Sequence, residues 1–379
     1  MASASAFNSL VHPAVFTLFD APCAVLWSVV SRPLVAAGRL LGVLSTPMLP
    51  DVDLTDKVCI VTGSNTGIGK RTALHLARLG GTVILACRSQ EKAAAARDEI
   101  TAEVQAGGRV AKLELMSLDL ADTHSVRSFV SDFKAKHDRL DVLVNNAGLN
   151  AGGRTKQGLG LVFASNFVGH FLLTKLLQDT ITATPGARVV NLASLMHHYG
   201  RVDWERACWG NDDWKGFSSY QASKLAMVLF SQELRRRFRR AGGTATSFAV
   251  NPGAVRSDIW RFVPPPFKYV YDAVMRAGFL NVEQGAFTSV YAAAAPLDAL
   301  GGPDGPLYWQ PYLLPLGLAH PFEVAGPFVG ATAAAPAVPP DHEREGARLW
   351  EECTRMVEAA EAAQGGGSGA AGAAAASAR

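Results

Sequence analysis

One short stretch limits what this chain can become. Residues 58–61 (Val58, Cys59, Ile60, Val61) are β-formers that run into Thr62–Gly63–Ser64–Asn65–Thr66–Gly67–Ile68–Gly69. A helical pattern follows at once, with apolar Ala73, Leu74, Leu76, Ala77 and Leu79, and Gly80 stops it. A strand, a glycine turn and a helix together make a phosphate-binding geometry. The bare backbone at Gly63 and Gly67 lets a pyrophosphate come close, and the helix N-terminus offers free N–H groups and a positive dipole end. Gly69 lets helix and strand pack tightly. The spacing is Gly-x-x-x-Gly-x-Gly rather than the Gly-x-Gly-x-x-Gly of the commoner dinucleotide fingerprint. Three glycines in a turn also fit a plain loop, and the flanking strand and helix are what favour the phosphate turn.

From residue 51 the chain alternates strands and helices. Strands are predicted at 58–62, 82–87, 110–116, 140–144, 187–193 and 244–250, and helices at 67–79, 90–105, 123–136, 159–182 and 219–240. Continuous apolar strands between helices give a parallel sheet covered on both faces, a doubly wound α/β domain. Ligands of such folds bind outside the carboxyl ends of the strands, so those ends are where chemistry is sought.

The second strand ends Ala86–Cys87–Arg88–Ser89. An acid here would accept the ribose hydroxyls of NAD; an Arg accommodates a 2′-phosphate, so Arg88 favours NADP(H). Lys70 and Arg71 add positive charge nearby, and a solvated loop charge is the other reading of Arg88. After the third strand come Asp119 and Leu120; Asp119 can cap or turn the chain, or contact an adenine. The fourth strand ends Asn145–Asn146–Ala147–Gly148, which suits a tight turn beside a ligand. Asn166 stands inside a predicted helix, a poor position for Asn, and is either buried and satisfied or functional. The fifth strand ends at Ser194, followed by a long link with His197, His198, Trp204, Trp209 and Trp214. Loops that long usually have a task. Tyr220 and Lys224, at i and i+4, share one helical face. A Lys⁺ near a Tyr lowers its pKa by favouring the phenolate.

Taken together in this order, the glycine turn, Asn145–Gly148, Ser194, Tyr220-x-x-x-Lys224 and Asn251–Pro252–Gly253 resemble the short-chain dehydrogenase/reductase family, over roughly residues 55–310. Ala86–Cys87–Arg88, Gly169–His170–Phe171–Leu172–Leu173–Thr174 and Ser223–Lys224–Leu225–Ala226 look like its retinol-dehydrogenase-like branch. The resemblance implies roles. Tyr220 would be the acid/base at the carbonyl or alcohol oxygen, and Lys224 would lower its pKa and hold the nicotinamide ribose. Ser194 would orient the substrate oxygen, and Asn166 would hold a water in a proton relay. Gly63, Ser64, Asn65, Thr66, Gly67, Ile68 and Gly69 would bind the dinucleotide. Asp119, Leu120, Asn146, Ala147 and Gly148 would line its adenine side, and Pro252, Gly253, Val255 and Ser257 would sit near the nicotinamide. Ala193, where many members have a second Ser, and Ser257, often Thr, depart from the pattern without removing a proton-transfer group.

Residues 255–282 would form a substrate lid. Its Trp260, Phe262, Phe267, Tyr269 and Tyr271 suggest a lipophilic small-molecule substrate such as a retinoid, steroid, prenyl compound or fatty aldehyde; packing or a membrane-facing surface is the bland alternative. The dehydrogenase domain is placed at 51–320. A C-terminal extension at 321–363 ends in a helix from 341, its first part irregular, and a disordered Gly/Ala tail fills 364–379. Residues 1–50 are apolar and punctuated by prolines. They are read as a membrane anchor, a targeting extension or an arm packed on the body; the first two would place the protein inside the cell at a membrane of the endoplasmic reticulum or an organelle, and the third leaves its location open. A net charge of +3, from 36 basic and 33 acidic residues, is too balanced for nucleic acid. The five scattered cysteines show no metal spacing. A homo-oligomer is compatible with the sequence. The rival readings are a dinucleotide-binding scaffold without turnover, which the intact Asn166, Ser194, Tyr220 and Lys224 set opposes, and a hydrolase using Ser194 with His197 or His198, which lacks a Gly-x-Ser-x-Gly elbow.

Overall fold

The computed structural model describes residues 49, 51–202, 217–256, 279–313 and 328–376. Their elements are β1 (Val58–Thr62), α1 (Gly67–Arg78), β2 (Thr82–Cys87), α2 (Gln90–Ala106), β3 (Lys112–Ser117), α3 (Thr123–Lys136) and β4 (Val142–Asn145). A helical turn (Leu161–Phe163), a π-helical turn (Ala164–Val168), α4 (Gly169–Ala183) and β5 (Arg188–Leu192) follow. After a 3₁₀ turn (Leu195–Tyr199) come α5 (Phe217–Arg240), β6 (Thr246–Val250), α6 (Val282–Ala294), β7 (Tyr308–Leu313), β8 (Phe328–Ala334) and α7 (His342–Ala376).

The strands form one sheet in the order β3-β2-β1-β4-β5-β6-β7-β8. All neighbours are parallel except β7 and β8. Side chains alternate across it. Ile60, Ile84 and Leu143 face the layer built by α3, α4, α5 and α7. Cys59, Val61, Val83, Val144 and Phe248 face the layer of α1, α2 and α6. The strand order reverses between β1 and β4, and the crevice at their carboxyl ends opens there.

Caps fix the helix starts. Asp122 accepts from His124 N at the start of α3, and Asn281 and Gln284 form a capping box on α6. Three expectations are corrected. The predicted helix at 159–182 is interrupted by the π turn. The stretch expected to be irregular holds β8, paired with β7 from Tyr308↔Ala334 to Leu313↔Phe328. The terminal helix runs on to Ala376 rather than ending at 363; the tail is alanine-rich, and alanine is the strongest helix former. Residues 1–48, the tryptophans at 204, 209 and 214, and lid residues 257–278 with Ser257 lie outside the described residues.

Candidate functional site

A cleft of about 390 Å³ lies across the carboxyl ends of β1, β2, β4 and β5. The glycine turn forms one wall. Gly63 and Gly67 have φ of +64° and +57°, a region that side chains disfavour. A Cβ at Gly67 would meet nothing within 4 Å, whereas one at Gly69 would collide with the Gly63 carbonyl and the Asn146 amide. The turn is therefore open toward the cleft and closed toward the sheet. Asn146 braces it from β4: Nδ2 donates to Thr62 O at 2.8 Å, and Asn146 N and Ala147 N donate to Thr62 Oγ1 at 2.9 and 3.0 Å. Asn65, Thr66, Gly67, Ile68 and Gly69 line the cleft with Gly63. Ser64 does not. It is fully buried, with Oγ 3.3 Å from Cys87 Sγ, because the turn needs a small side chain facing β2.

At the end of β2, Arg88 is exposed and lines the cleft, with Ser89 and Lys92. Ser89 caps α2 by accepting from Lys92 N at 3.4 Å. Lys70 and Arg71 are otherwise engaged, Lys70 with Glu99 and Arg71 with Glu103 and Glu283, so the charge expected from them is neutralised. Arg88 and Lys92 are the cations that face this end. Asp119 turns the chain, its carboxylate accepting from Ala121 N at 3.0 Å, and the residue lines the cleft beside Leu120.

The π turn organises the other end. Asn166 is fully buried in it and clamps the chain beyond β4 in both directions: Oδ1 accepts from Leu149 N at 2.8 Å and Nδ2 donates to Leu149 O at 2.9 Å. Behind it, His170 bonds Asn166 O at 2.9 Å and Thr62 Oγ1 at 2.8 Å, tying the turn to β1. Burial pushes the His170 imidazole down to about 3, so it stays neutral. Gly148 stands between the Asn166 amide and the Lys224 ammonium: a Cβ added there would lie 3.7 Å from Asn166 Oδ1 and 3.8 Å from Lys224 Nζ. Lys224 donates to Leu192 O at 2.7 Å, and burial pushes it down to about 8.

Ser194 at the end of β5 and Tyr220 near the start of α5 meet across the cleft. Burial pushes the Tyr220 phenol up to about 12, and a hydrogen bond from Ser194 acts in the opposite direction. The Lys224 Nζ lies 5.5 Å from the ring centroid of Tyr220 and donates to Leu192 O, so at the phenol desolvation outweighs the ammonium. His197 does not make the Ser–His pairing of a hydrolase: its Nδ1 bonds the Ser194 backbone O at 2.7 Å, not the hydroxyl, and its Nε2 accepts from Ala337 N at 3.1 Å.

Pro252, Gly253 and Val255 complete the rim, and Val255 forms a parallel bridge with Leu280. Sequence reasoning missed Lys92, Leu149 and Ser165 as wall residues. A cation in a helix's first turn opposes the dipole, which is the signal Lys92 carried. The buried Ser165 hydroxyl has no hydrogen-bond partner among the described residues. An open glycine turn, two cations with no ion pair among the described residues, an orphaned hydroxyl and a phenol–hydroxyl–ammonium set along one cleft fit a phosphate-bearing dinucleotide beside a group that exchanges a proton.

Residues 57–265 match the short chain dehydrogenase family. The chain is 35% identical to human retinol dehydrogenase 13 over 314 residues, covering 79% of this chain and 84% of that one. It is 39% identical to bovine (Bos taurus) retinol dehydrogenase 12 over 265 residues, 66% of this chain and 78% of that one. A solved structure of an uncharacterised protein from Mycobacterium paratuberculosis superposes with a TM-score of 0.62 at 28% identity, covering 82% of this chain and 96% of the other.

Proposed function

This chain belongs to the short-chain dehydrogenase family, and from that premise we propose that it is an NADP(H)-dependent oxidoreductase interconverting an alcohol and a carbonyl on a lipophilic, retinoid-like substrate. The observation that carries the reading is the cleft itself, with Ser194, Tyr220 and Lys224 at one end and Arg88 and Lys92 at the other. The glycine turn and the Asn146–Gly148 segment would hold the dinucleotide, with Arg88 and Lys92 on a 2′-phosphate. When bound, the cofactor supplies or takes the hydride. Ser194 orients the substrate oxygen. Tyr220, held as a phenol by burial, would donate its proton to a carbonyl oxygen in reduction and take it back in oxidation. Lys224 places positive charge behind the phenol, and Asn166 fixes the backbone at Leu149 beside it. The apolar lid sequence and the names of the relatives support a lipophilic substrate, and the apolar stretch 1–50 fits delivery from a membrane surface inside the cell.

The test is NADPH oxidation and NADP⁺ reduction with retinoids, steroids, prenyl alcohols and fatty aldehydes, with wild type beside Tyr220→Phe. We expect wild type to turn over and the variant to lose at least about 100-fold, the usual scale of general acid–base help, while still binding NADPH. A wild type that binds NADPH tightly and turns over nothing makes the protein a dinucleotide-binding scaffold.

A further inference from the structure

We propose that His197 is a positioning residue for Ser194 and that the C-terminal extension sets it: the Ala337 N–H holds the imidazole, and the imidazole holds the Ser194 carbonyl. The inference rests on the dehydrogenase reading, which gives the Ser194 hydroxyl its task.

Ser194 stands where the sheet stops supporting the chain. The last ladder bond before it is Ala193 N to Val250 O at 2.8 Å. Beyond that, the Ser194 carbonyl is held by two donors from one residue, His197 N at 3.0 Å and His197 Nδ1 at 2.7 Å. The hydroxyl in turn accepts from Met196 N at 3.2 Å. If this turn rotates, the hydroxyl loses its aim at Tyr220.

The ring has no freedom. A backbone carbonyl only accepts and a backbone N–H only donates, so Nδ1 carries the proton and Nε2 the lone pair. His197 is 1% exposed. Burial and the neighbouring His198 push it down to about 4, so it stays neutral with both nitrogens committed. Its ring lies 4.9 Å from that of Tyr308, which pairs with Ala334 of β8. Ala337 lies just beyond β8, in the segment that leads to α7. The extension also reaches the helix of Tyr220 and Lys224: Trp350 of α7 packs against Phe230 of α5 at 6.0 Å. The C-terminal segment therefore touches both elements that must hold register for proton transfer.

Ala337→Pro deletes the N–H that bonds His197 Nε2, in a segment already rich in proline, and leaves His197 in place. His197→Phe removes both bonds but keeps a ring. His197→Asn keeps a donor near the Nδ1 position and loses the bond to Ala337. We would measure kcat and KM for retinal reduction, NADPH affinity by fluorescence titration, and thermal stability. Small displacements of a reacting group cost heavily; on that basis kcat is expected to fall roughly tenfold or more in Ala337→Pro and His197→Phe, and less in His197→Asn, with NADPH affinity held within about twofold. Wild-type kcat in both Ala337→Pro and His197→Phe overturns the inference, as does a loss of kcat that merely tracks lost NADPH binding. A wild type that binds NADPH and reduces no carbonyl overturns the dehydrogenase reading and this inference with it.

Discussion

Lys224 is an ammonium in a place that does not favour one. Burial brings it down to about 8 from 10.5, and its hydrogen bond to Leu192 O partly compensates. The folded chain sheds this proton near pH 8 and the unfolded chain near 10.5, so between those values the unfolded state binds more protons and stability rises with pH. Below pH 8 both states keep the proton and the cost of the buried charge is constant. In Lys224→Met the group is gone. Wild-type stability relative to that variant should therefore climb from pH 8 to 10.5, by on the order of 3 kcal/mol in the cofactor-free protein, and stay level on either side. Urea unfolding across that range reads it. A flat difference would mean that the ammonium reaches water. Desolvation is also the first influence on Tyr220, pushing its phenol up, so the two groups that the sequence joined through a single electrostatic argument both feel their surroundings before they feel each other.

At the scale of elements, the π turn between Leu161–Phe163 and α4 decides where Asn166 points, and Gly169 lets α4 leave that turn. A Cβ at Gly169 would collide with the Leu120 carbonyl and stand 2.8 Å from the Leu120 Cβ, and Leu120 lines the cleft. Gly169→Ala should cost about 1–3 kcal/mol, the usual penalty of overpacking, and weaken NADPH binding. Urea unfolding and NADPH titration test it together. A variant with wild-type affinity and stability would show that the α4 and Leu120 backbones part freely. The residue pattern signalled the regular elements around this turn well. The strands at 58–62 and 82–87 and the helix at 123–136 match the structure to the residue, because apolar runs end at turn formers and Asp122 caps the helix. The π turn was not legible, since one extra residue in a helical turn leaves the apolar spacing nearly unchanged; only the poor propensity of Asn166 marked it. In β8, Gly330, Ala331, Thr332, Ala333 and Ala334 offer no alternation, so its pairing with β7 is decided by tertiary contact rather than by local preference.

Over the whole molecule, the sheet order puts a reversal between β1 and β4, and the cleft spans that reversal. A ligand there is held by elements far apart in sequence: Gly63 after β1, Arg88 after β2, Gly148 after β4, Ser194 after β5 and Pro252 after β6. The candidate site could be read from the chain because each of these residues follows a strand end; Lys92, one helical turn into α2, and the hold of Ala337 on His197 could not. A ligand that binds only the assembled cleft must stabilise the entire fold, by about 2.7 kcal/mol at a hundredfold excess over its dissociation constant. Thermal unfolding therefore reports cofactor choice without any substrate. With Lys70 and Arg71 paired to carboxylates, Arg88 and Lys92 are the cations among the described residues placed to discriminate a 2′-phosphate from a hydroxyl. NADPH should raise the melting temperature more than NADH at equal concentration. Arg88→Ala should remove most of that difference and Lys92→Ala part of it, each lost phosphate contact being worth about tenfold in affinity, or 1.4 kcal/mol. Equal shifts with the two dinucleotides in wild type, or an unchanged gap in Arg88→Ala, would assign the adenosine end of the cleft to NAD(H).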